Sequence, residues 1–427
     1  MHDPRELIGC GTLTVPMDYT DPHSNATIKL QLLKVPAVRT PKKGSILFNF
    51  GGSGLESRLS LAAFSTIYLA QGWLANIADP GDTAGVERLW AGSQVFANSC
   101  YNYPGFQEKG SMIGTAFSAR DLMQIVDAVE SDGLLRYWGI SYGTILGATV
   151  AAMFPDRIER IVLDGVMNPY QFFHGYDTKV YADSDKVFHS FIQECLELPE
   201  LCGFSHRNST ADNIEEDLFN LLEDLLREPI VHGSTIIDPT LVRTFIRYVL
   251  YSPSSYSDLS VALDSLLSPA NTTLFTAIHD VYMASTKQTL EEMTAVFEGL
   301  NAESRFIGSS GIGLAAICAN WRIQAKERYE GDFHTRTKHP MLVIGNTYDS
   351  ATLLQLAQNA TAAFEDSVLH GSTAHGSECT ARVIRDYFTE GTLPGPDMFC
   401  EPSYKPFKNK TIDDVLEESG FIKDLDQ

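Results

Sequence analysis

Basic residues are scarce. The chain of 427 residues has 32 Lys and Arg against 54 Asp and Glu, a formal net charge of −22. Nucleic-acid phosphates are held by Lys and Arg, so this balance excludes a nucleic-acid partner. It also excludes electrostatic docking on anionic lipid. None of the seven cysteines forms a Cys-x-x-Cys pair, which argues against a zinc site. There is no fixed-period repeat and no low-complexity segment. The opening residues Met1-His2-Asp3-Pro4-Arg5-Glu6 hold no apolar h-region, so no signal peptide is visible in this chain. Two long uncharged stretches, 59–78 and 137–155, read as core rather than membrane spans, so no membrane partner is expected.

What is present is globular. Apolar residues make up 44% and charged residues 20%. The length exceeds one typical domain of ~100–200 residues, so a large core with an insertion, or two domains, is expected. Cys195 with Cys202, and Cys379 with Cys400, fit disulfide-closed loops. Asn-x-Ser/Thr sequons stand at Asn25, Asn208, Asn271, Asn359 and Asn409. Paired cysteines, sequons and acidity together point to a secreted glycoprotein; the N-terminus leaves a cytoplasmic protein as the alternative.

Along the chain, 10–15 and 27–35 read as strands around a turn cluster at 21–25. A short apolar run at 45–50 reads as a buried strand ending at Gly51-Gly52-Ser53-Gly54. Residues 119–129 have Leu122, Ile125, Val126 and Val129 on one helical face. Strand 134–140, helix 142–154 and strand 158–163 make a βαβ unit, hence a parallel sheet. From about 169 to 310 the spacing turns helical, with breaks at Pro199, Pro229, Pro239, Pro253 and Pro269. Strand-like sequence returns at 340–345 and 367–369, and a last helix is expected over about 378–388. The fold class is α/β, with an inserted helical region.

The central motif is Gly139-Ile140-Ser141-Tyr142-Gly143, between a strand and a helix. That context suits a nucleophile elbow, whose turn is too tight for side chains at the glycine positions. Ser141 then sits at a helix N-terminus, where the dipole and the Tyr142 N–H can stabilise an oxyanion. A serine hydroxyl needs a base, and the base an orienting acid. In Ser, Asp, His chain order, the acid candidate is Asp349 after the 341–344 strand, and the base candidate is His375 in the following loop. Asp164 and His370 are the rivals. Asp164 follows the strand after the nucleophile helix, and His370 is placed at a strand end.

The residues 136–144, Phe154-Pro155-Asp156-Arg157-Ile158 and Val162-Leu163-Asp164-Gly165-Val166 resemble the tripeptidyl aminopeptidase-like α/β-hydrolases, close to the prolyl aminopeptidases. So do Ala119-Arg120-Asp121-Leu122, Ile344-Gly345-Asn346-Thr347-Tyr348-Asp349, Gly391-Thr392-Leu393-Pro394 and the opening 10–19. The resemblance implies an α/β-hydrolase fold with a mostly parallel sheet. It divides the chain into core segments 1–168 and 311–427 and a helical cap over 169–310. It implies a cofactor-independent serine hydrolase acting through an acyl-enzyme. The implied substrate is a peptide with a free N-terminus, and the products are short peptides or residues. Fungal relatives include hydrolases of secondary-metabolite pathways, so an ester, lactone or amide hydrolase acting on a small molecule is the alternative. In aminopeptidase relatives cap acids hold the substrate ammonium; Glu194 and Glu197 are the candidates here.

The sequence departs from that family twice. The loop Asn49-Phe50-Gly51-Gly52-Ser53-Gly54 is shorter than the family's Asn-Pro-Gly-Gly-Pro-Gly-Gly-Ser-Gly. A backbone N–H near Gly51 or Gly52, here assigned to Gly52, pairs with that of Tyr142 as oxyanion hole. Relatives also carry a strand and an Asp-Pro-Arg-Gly turn where this chain has 67–89, with Asp79-Pro80-Gly81-Asp82 and no clear β run. Either Leu74–Ala78 substitutes for that strand, the sheet is rearranged, or an exon has been dropped; in the last case Cys10 is the orphan cysteine. An inactive relative is the corresponding third reading.

Overall fold

The computed structural model describes residues 8–37, 43–52, 83–175, 178–232, 235–251, 253–268, 320–347, 349–373, 375–395 and 398–404, with single positions 275, 304, 407, 414 and 416. The stretch 59–78, the 79–82 turn, Cys318 and the sequons at Asn271 and Asn409 lie outside the described residues.

The N-terminal strands form an antiparallel hairpin, β1 (Gly9–Pro16) on β2 (Thr27–Lys34), with Gly9 opposite Lys34 and Pro16 opposite Thr27. Its turn is closed by Asp21 Oδ1, which accepts the His23 N–H at 2.9 Å, an Asx turn. Tyr19 Oη donates to Asp121 Oδ1 at 2.6 Å, fastening the hairpin to helix 115–129.

The central sheet is parallel in all its described pairings. Its strand order is β3 (Leu47–Asn49), β4 (Leu135–Ile140), β5 (Ile158–Asp164), β8 (Leu342–Thr347), β9 (Val368–Thr373). Between β3 and β4 run α1 (Thr83–Tyr101), the short α2 (Phe106–Gly110) and α3 (Thr115–Val129). Helix α4 (Tyr142–Met153) crosses from β4 to β5. One sheet face, with Leu135, Tyr137, Ile161, Leu163 and Val343, packs on α3 and α4 and on α10 (Leu354–Ala363). The other face, with Val162, Leu342 and Ile344, packs on α11 (Glu378–Glu390) through Val383, Ile384 and Tyr387. Alternate residues of one strand thus enter opposite cores, as a period of two requires.

The expected buried strand at 45–50 is corrected in two ways. It is three residues long, and Phe48 is 46% exposed. Among the described residues β3 pairs only with β4. Phe48 instead stacks on Phe50 and leans on Trp138, with ring centroids 5.8 and 5.4 Å away. The expected strand loss within 67–82 lies outside the described residues.

After β5 come α5 (Pro169–His174), α6 (Ser184–Glu197) and α7 (Ala211–Arg227). A small hairpin of β6 (Ile230–His232) and β7 (Thr235–Ile237) follows, then α8 (Pro239–Leu250) and α9 (Tyr256–Leu266). The helical spacing concealed the hairpin, because three-residue strands are too short to show a period. These helices enclose their own apolar cluster, centred on Phe188, Phe191, Phe204, Phe245 and Leu259. The disulfide Cys195–Cys202 closes the end of α6. Cys379–Cys400 ties α11 to the C-terminal segment, a closure worth about 3 kcal/mol by loop entropy. Cys10 is an exposed free thiol. Among the described residues no helix is long and apolar enough to cross a membrane.

Candidate active site

Parallel strands deliver their C-terminal ends to one edge, and each expected site residue ends or follows one of these strands. Ser141 follows β4, Asp164 ends β5, Asp349 follows β8 and His375 follows β9. In an open α/β sheet this edge is where ligands bind.

Ser141 has φ 54 and ψ −122, a left-handed conformation that a non-glycine residue adopts only when its surroundings impose it. Three contacts impose it. The Ser141 N–H donates to the Asp164 carbonyl at 3.1 Å. The Ser141 carbonyl accepts the Thr144 N–H at 2.8 Å and the Thr144 hydroxyl at 2.6 Å. Thr144 Oγ1 in turn accepts the Met167 N–H at 3.1 Å, which ties the elbow to the chain after β5. The elbow glycines have no space for a side chain. A Cβ at Gly139 would lie 2.2 Å from the Gly143 carbonyl oxygen, and one at Gly143 would lie 2.3 Å from the Asn49 oxygen.

The loop after β3 lies directly against the elbow. A Cβ on Gly51 (φ +86) would meet the Ile140 oxygen at 2.5 Å, Ser141 Cβ at 2.7 Å and the Tyr142 nitrogen at 3.2 Å. The Gly51 N–H donates to Asn49 Oδ1 at 3.0 Å. That occupies the Gly51 donor; Gly52, the next residue, is exposed with φ 57. Tyr142 opens α4, where its N–H has no partner within the helix. Its hydroxyl pairs with Thr115 Oγ1 at 3.0 Å, holding its ring beside Phe172.

Asp349 is fixed by its own turn. Its Oδ1 accepts the Ala351 and Thr352 N–H groups at 2.9 and 2.7 Å, and Oδ2 accepts the Thr352 hydroxyl at 2.7 Å. Thr352 Oγ1 is also the nearest atom to a Cβ at Gly165, 3.2 Å away, and the Ser141 nitrogen follows at 3.8 Å. Thr352 and Gly165 therefore link the acid candidate to the elbow. Thr144 and Thr352 were missed by sequence reading; a Thr three residues past a turn-forming Ser or Asp is the signal that could have found them.

His375 is buried at Nδ1, and among the described residues that atom has no hydrogen-bond partner, so the bond to Asp349 that an orienting acid would make is not formed here. Burial pushes its pKa down to about 4, so the ring is neutral and proton-accepting near pH 7. His370 is not at a strand end, as expected, but third in β9, opposite Ile344 and fully buried. Its Nε2 lies 3.4 Å from Thr380 Oγ1, and burial lowers its pKa as well. The strand register thus places His370 within the sheet and His375 beyond its end. Asp164 lies between Ile140 and Ile344 in register. Burial, and secondarily the charge of Asp349, push its pKa up to about 6, while Gly165 and Asn346 pull the other way.

The helices over 169–266 reach the same edge. Ser184 at the start of α6 donates to the Ser350 carbonyl at 2.9 Å, next to Asp349. The Tyr256 phenol of α9 is held protonated by burial and, secondarily, by the charges of Glu194 and Asp349. Glu197, one turn along α6, is exposed.

Two family models match this chain. One described as "alpha/beta hydrolase fold" matches residues 45–218, and one described as "TAP-like protein" matches residues 304–400. The first span holds Ser141, and the second holds Asp349 and His375. Among curated relatives, the chain is 22% identical to "Tripeptidyl aminopeptidase" of Streptomyces coelicolor over 471 residues, covering 93% of this chain and 84% of the relative. It is 23% identical to "Serine protease Hip1" of Mycobacterium tuberculosis, covering 92% and 87%. It is also 23% identical to "Carboxylesterase B" of M. tuberculosis, covering 92% and 86%. The 471-residue alignment is longer than the 427-residue chain, so the Streptomyces relative carries residues that this chain lacks.

Proposed function

The chain is a serine-hydrolase-type α/β-hydrolase with a TAP-like C-terminal part, and on that premise we propose that it is an exopeptidase releasing short peptides or residues from free N-termini. The observation that carries this reading is the elbow itself, Ser141 at φ 54 with Gly51 packed against it. In the proposed reaction Ser141 Oγ attacks the scissile carbonyl, and the neutral His375 takes the hydroxyl proton. The Tyr142 and Gly52 N–H groups receive the oxyanion. His375 then returns the proton to the leaving amine, and water repeats the sequence on the acyl-enzyme. Asp349 is the orienting acid. Its carboxylate accepts three bonds in its own turn and retains one of about four acceptor positions for His375 Nδ1. The chain divides into core segments 1–168 and 311–427, with 169–310 as a cap over Ser141. Glu194 is the cap carboxylate for the substrate ammonium, supported by its half-buried place on α6 and by its charge acting on the buried Tyr256 phenol, as that of Asp349 does.

The test uses coumarin amides of tripeptides with free and with acetylated N-termini. Turnover of the free form, lost in Ser141→Ala, is the expected result. Equal turnover of both forms overturns the exopeptidase assignment. Absence of Ser141 labelling by a fluorophosphonate overturns the serine-hydrolase mechanism. The match to a carboxylesterase supports a second reading, an ester hydrolase, which predicts turnover of small esters and none of the peptide amides. We place the protein outside the cytoplasm, supported by its two disulfides and by the exposure of Asn25, Asn208 and Asn359. A mass loss on glycosidase treatment of the protein from its native host tests this.

A further inference from the structure

The His375 loop joins β9 to α11, and among the described residues the buried His375 Nδ1 makes no hydrogen bond. The loop is held by a segment more than twenty residues further on. The Ser403 N–H donates to the Gly376 carbonyl at 3.0 Å. The Ser377 hydroxyl donates to the Glu401 carbonyl at 2.8 Å. The Glu378 N–H donates to Ser403 Oγ at 2.9 Å. On the strand side of the loop, Gly371 donates to the Met398 carbonyl at 3.1 Å and accepts the Cys400 N–H at 3.0 Å. Residues 398–403 therefore grip the chain on both sides of His375, at 371 and at 376–378. The disulfide Cys379–Cys400 pins this strap to the first turn of α11.

We propose that the strap 398–403, locked by Cys379–Cys400 and latched by Ser377, holds the general base in reach of Ser141. Ser377 is the positioning residue, and the strap acts only through His375. This rests on the reading of His375 as the base. Ser377 suits the part because it is 4% exposed and has two duties. Its Oγ donates to the strap and also accepts the Thr380 N–H at 3.4 Å, as the N-cap of α11. Opening the strap frees the loop while leaving the elbow, Gly51 and Asp349 untouched, since none of their hydrogen bonds involves residues 398–403.

The experiment measures kcat and KM on a chromogenic acetyl ester, with urea unfolding in parallel. It compares Ser377→Ala, Ser377→Thr, His375→Ala and the paired Cys379→Ala, Cys400→Ala. A displacement of about 1 Å in a catalytic group costs on the order of 10²-fold in rate, so a kcat loss of about ten- to hundredfold is expected for Ser377→Ala. KM stays within about twofold because substrate contacts are unchanged. Ser377→Thr, which keeps the hydroxyl, recovers most of kcat. The paired cysteine change lowers kcat in the same way; if that variant does not fold, Ser377→Ala decides alone. A folded Ser377→Ala with wild-type kcat, or with its loss in KM, overturns the proposal. Full turnover in His375→Ala overturns the base assignment itself, and the two failures are thereby distinguished.

Discussion

Replacing Gly51 with alanine tests whether the loop after β3 is part of the catalytic apparatus. An alanine Cβ there would lie 2.5 Å from the Ile140 oxygen and 2.7 Å from Ser141 Cβ. Ordinary contact begins near 3.4 Å, so loop and elbow must separate by about 0.9 Å, and the Ile140 oxygen belongs to rigid backbone. A shift of that size takes the Gly52 N–H out of reach of an oxyanion, and losing one such donor costs ~10²–10³ in kcat. Alanine at φ +86 adds roughly 1–2 kcal/mol of backbone strain. The two effects separate experimentally. Gly105 has φ +77 with nothing within 4 Å of its Cβ position, so Gly105→Ala carries strain without a clash. Gly105→Ala loses about 1–2 kcal/mol in urea unfolding, Gly51→Ala loses a further ~1–3 kcal/mol for the clash, and only Gly51→Ala loses kcat, about 100-fold, in steady-state ester hydrolysis. A Gly51→Ala enzyme with kcat within threefold of wild type refutes the assignment of this loop to the oxyanion hole.

Three further outcomes follow from particular contacts. Tyr387→Phe removes a buried hydroxyl that accepts the Ile161 N–H at 3.0 Å and donates to the Pro340 carbonyl at 2.8 Å. With both partners left unpaired, urea unfolding should show a loss of about 2–4 kcal/mol, and a loss below 0.5 kcal/mol contradicts the accounting. Thr144→Val keeps the shape but removes the hydroxyl between the Ser141 carbonyl and the Met167 N–H; it costs about 1–2 kcal/mol and slows fluorophosphonate labelling of Ser141. For Asp164, the folded pKa of about 6 lies above the ordinary 3.8, so the native state favours the protonated form. Its ionisation therefore lowers stability as pH rises from about 4 to 6 and by a constant amount above that. Asp164→Asn removes this slope, and its stability relative to wild type rises across the same window by on the order of 1–3 kcal/mol; an unchanged difference between pH 4 and 7 refutes it.

Much of this was legible locally. Hydrophobic spacing located β4, α4, β5 and α11 within a few residues, because a buried element must repeat its apolar residues at its own period. Gly139, Ser141 and Gly143 declared the elbow, since only glycine fits beside a turn that tight. The exposure of Phe48 was not legible. An apolar tripeptide reads as buried whatever surrounds it, and only the folded structure shows how much of the ring is covered. His370 and His375 were separable only by register, which fixes where β9 ends.

The amino-acid sequence by itself determined the parallel α/β core and the elbow at Ser141, and it named Asp349 and His375 as candidates in chain order, because each signal is encoded within a dozen consecutive residues. Tertiary structure alone decided which donors and supports surround them. Asn49 takes the Gly51 N–H, Thr352 holds Asp349, and the strap 398–403 clasps the loop of His375. The physical reason is that a hydrogen bond depends on distances in space, and the strap meets the His375 loop only after the chain has folded back and Cys379 has joined Cys400.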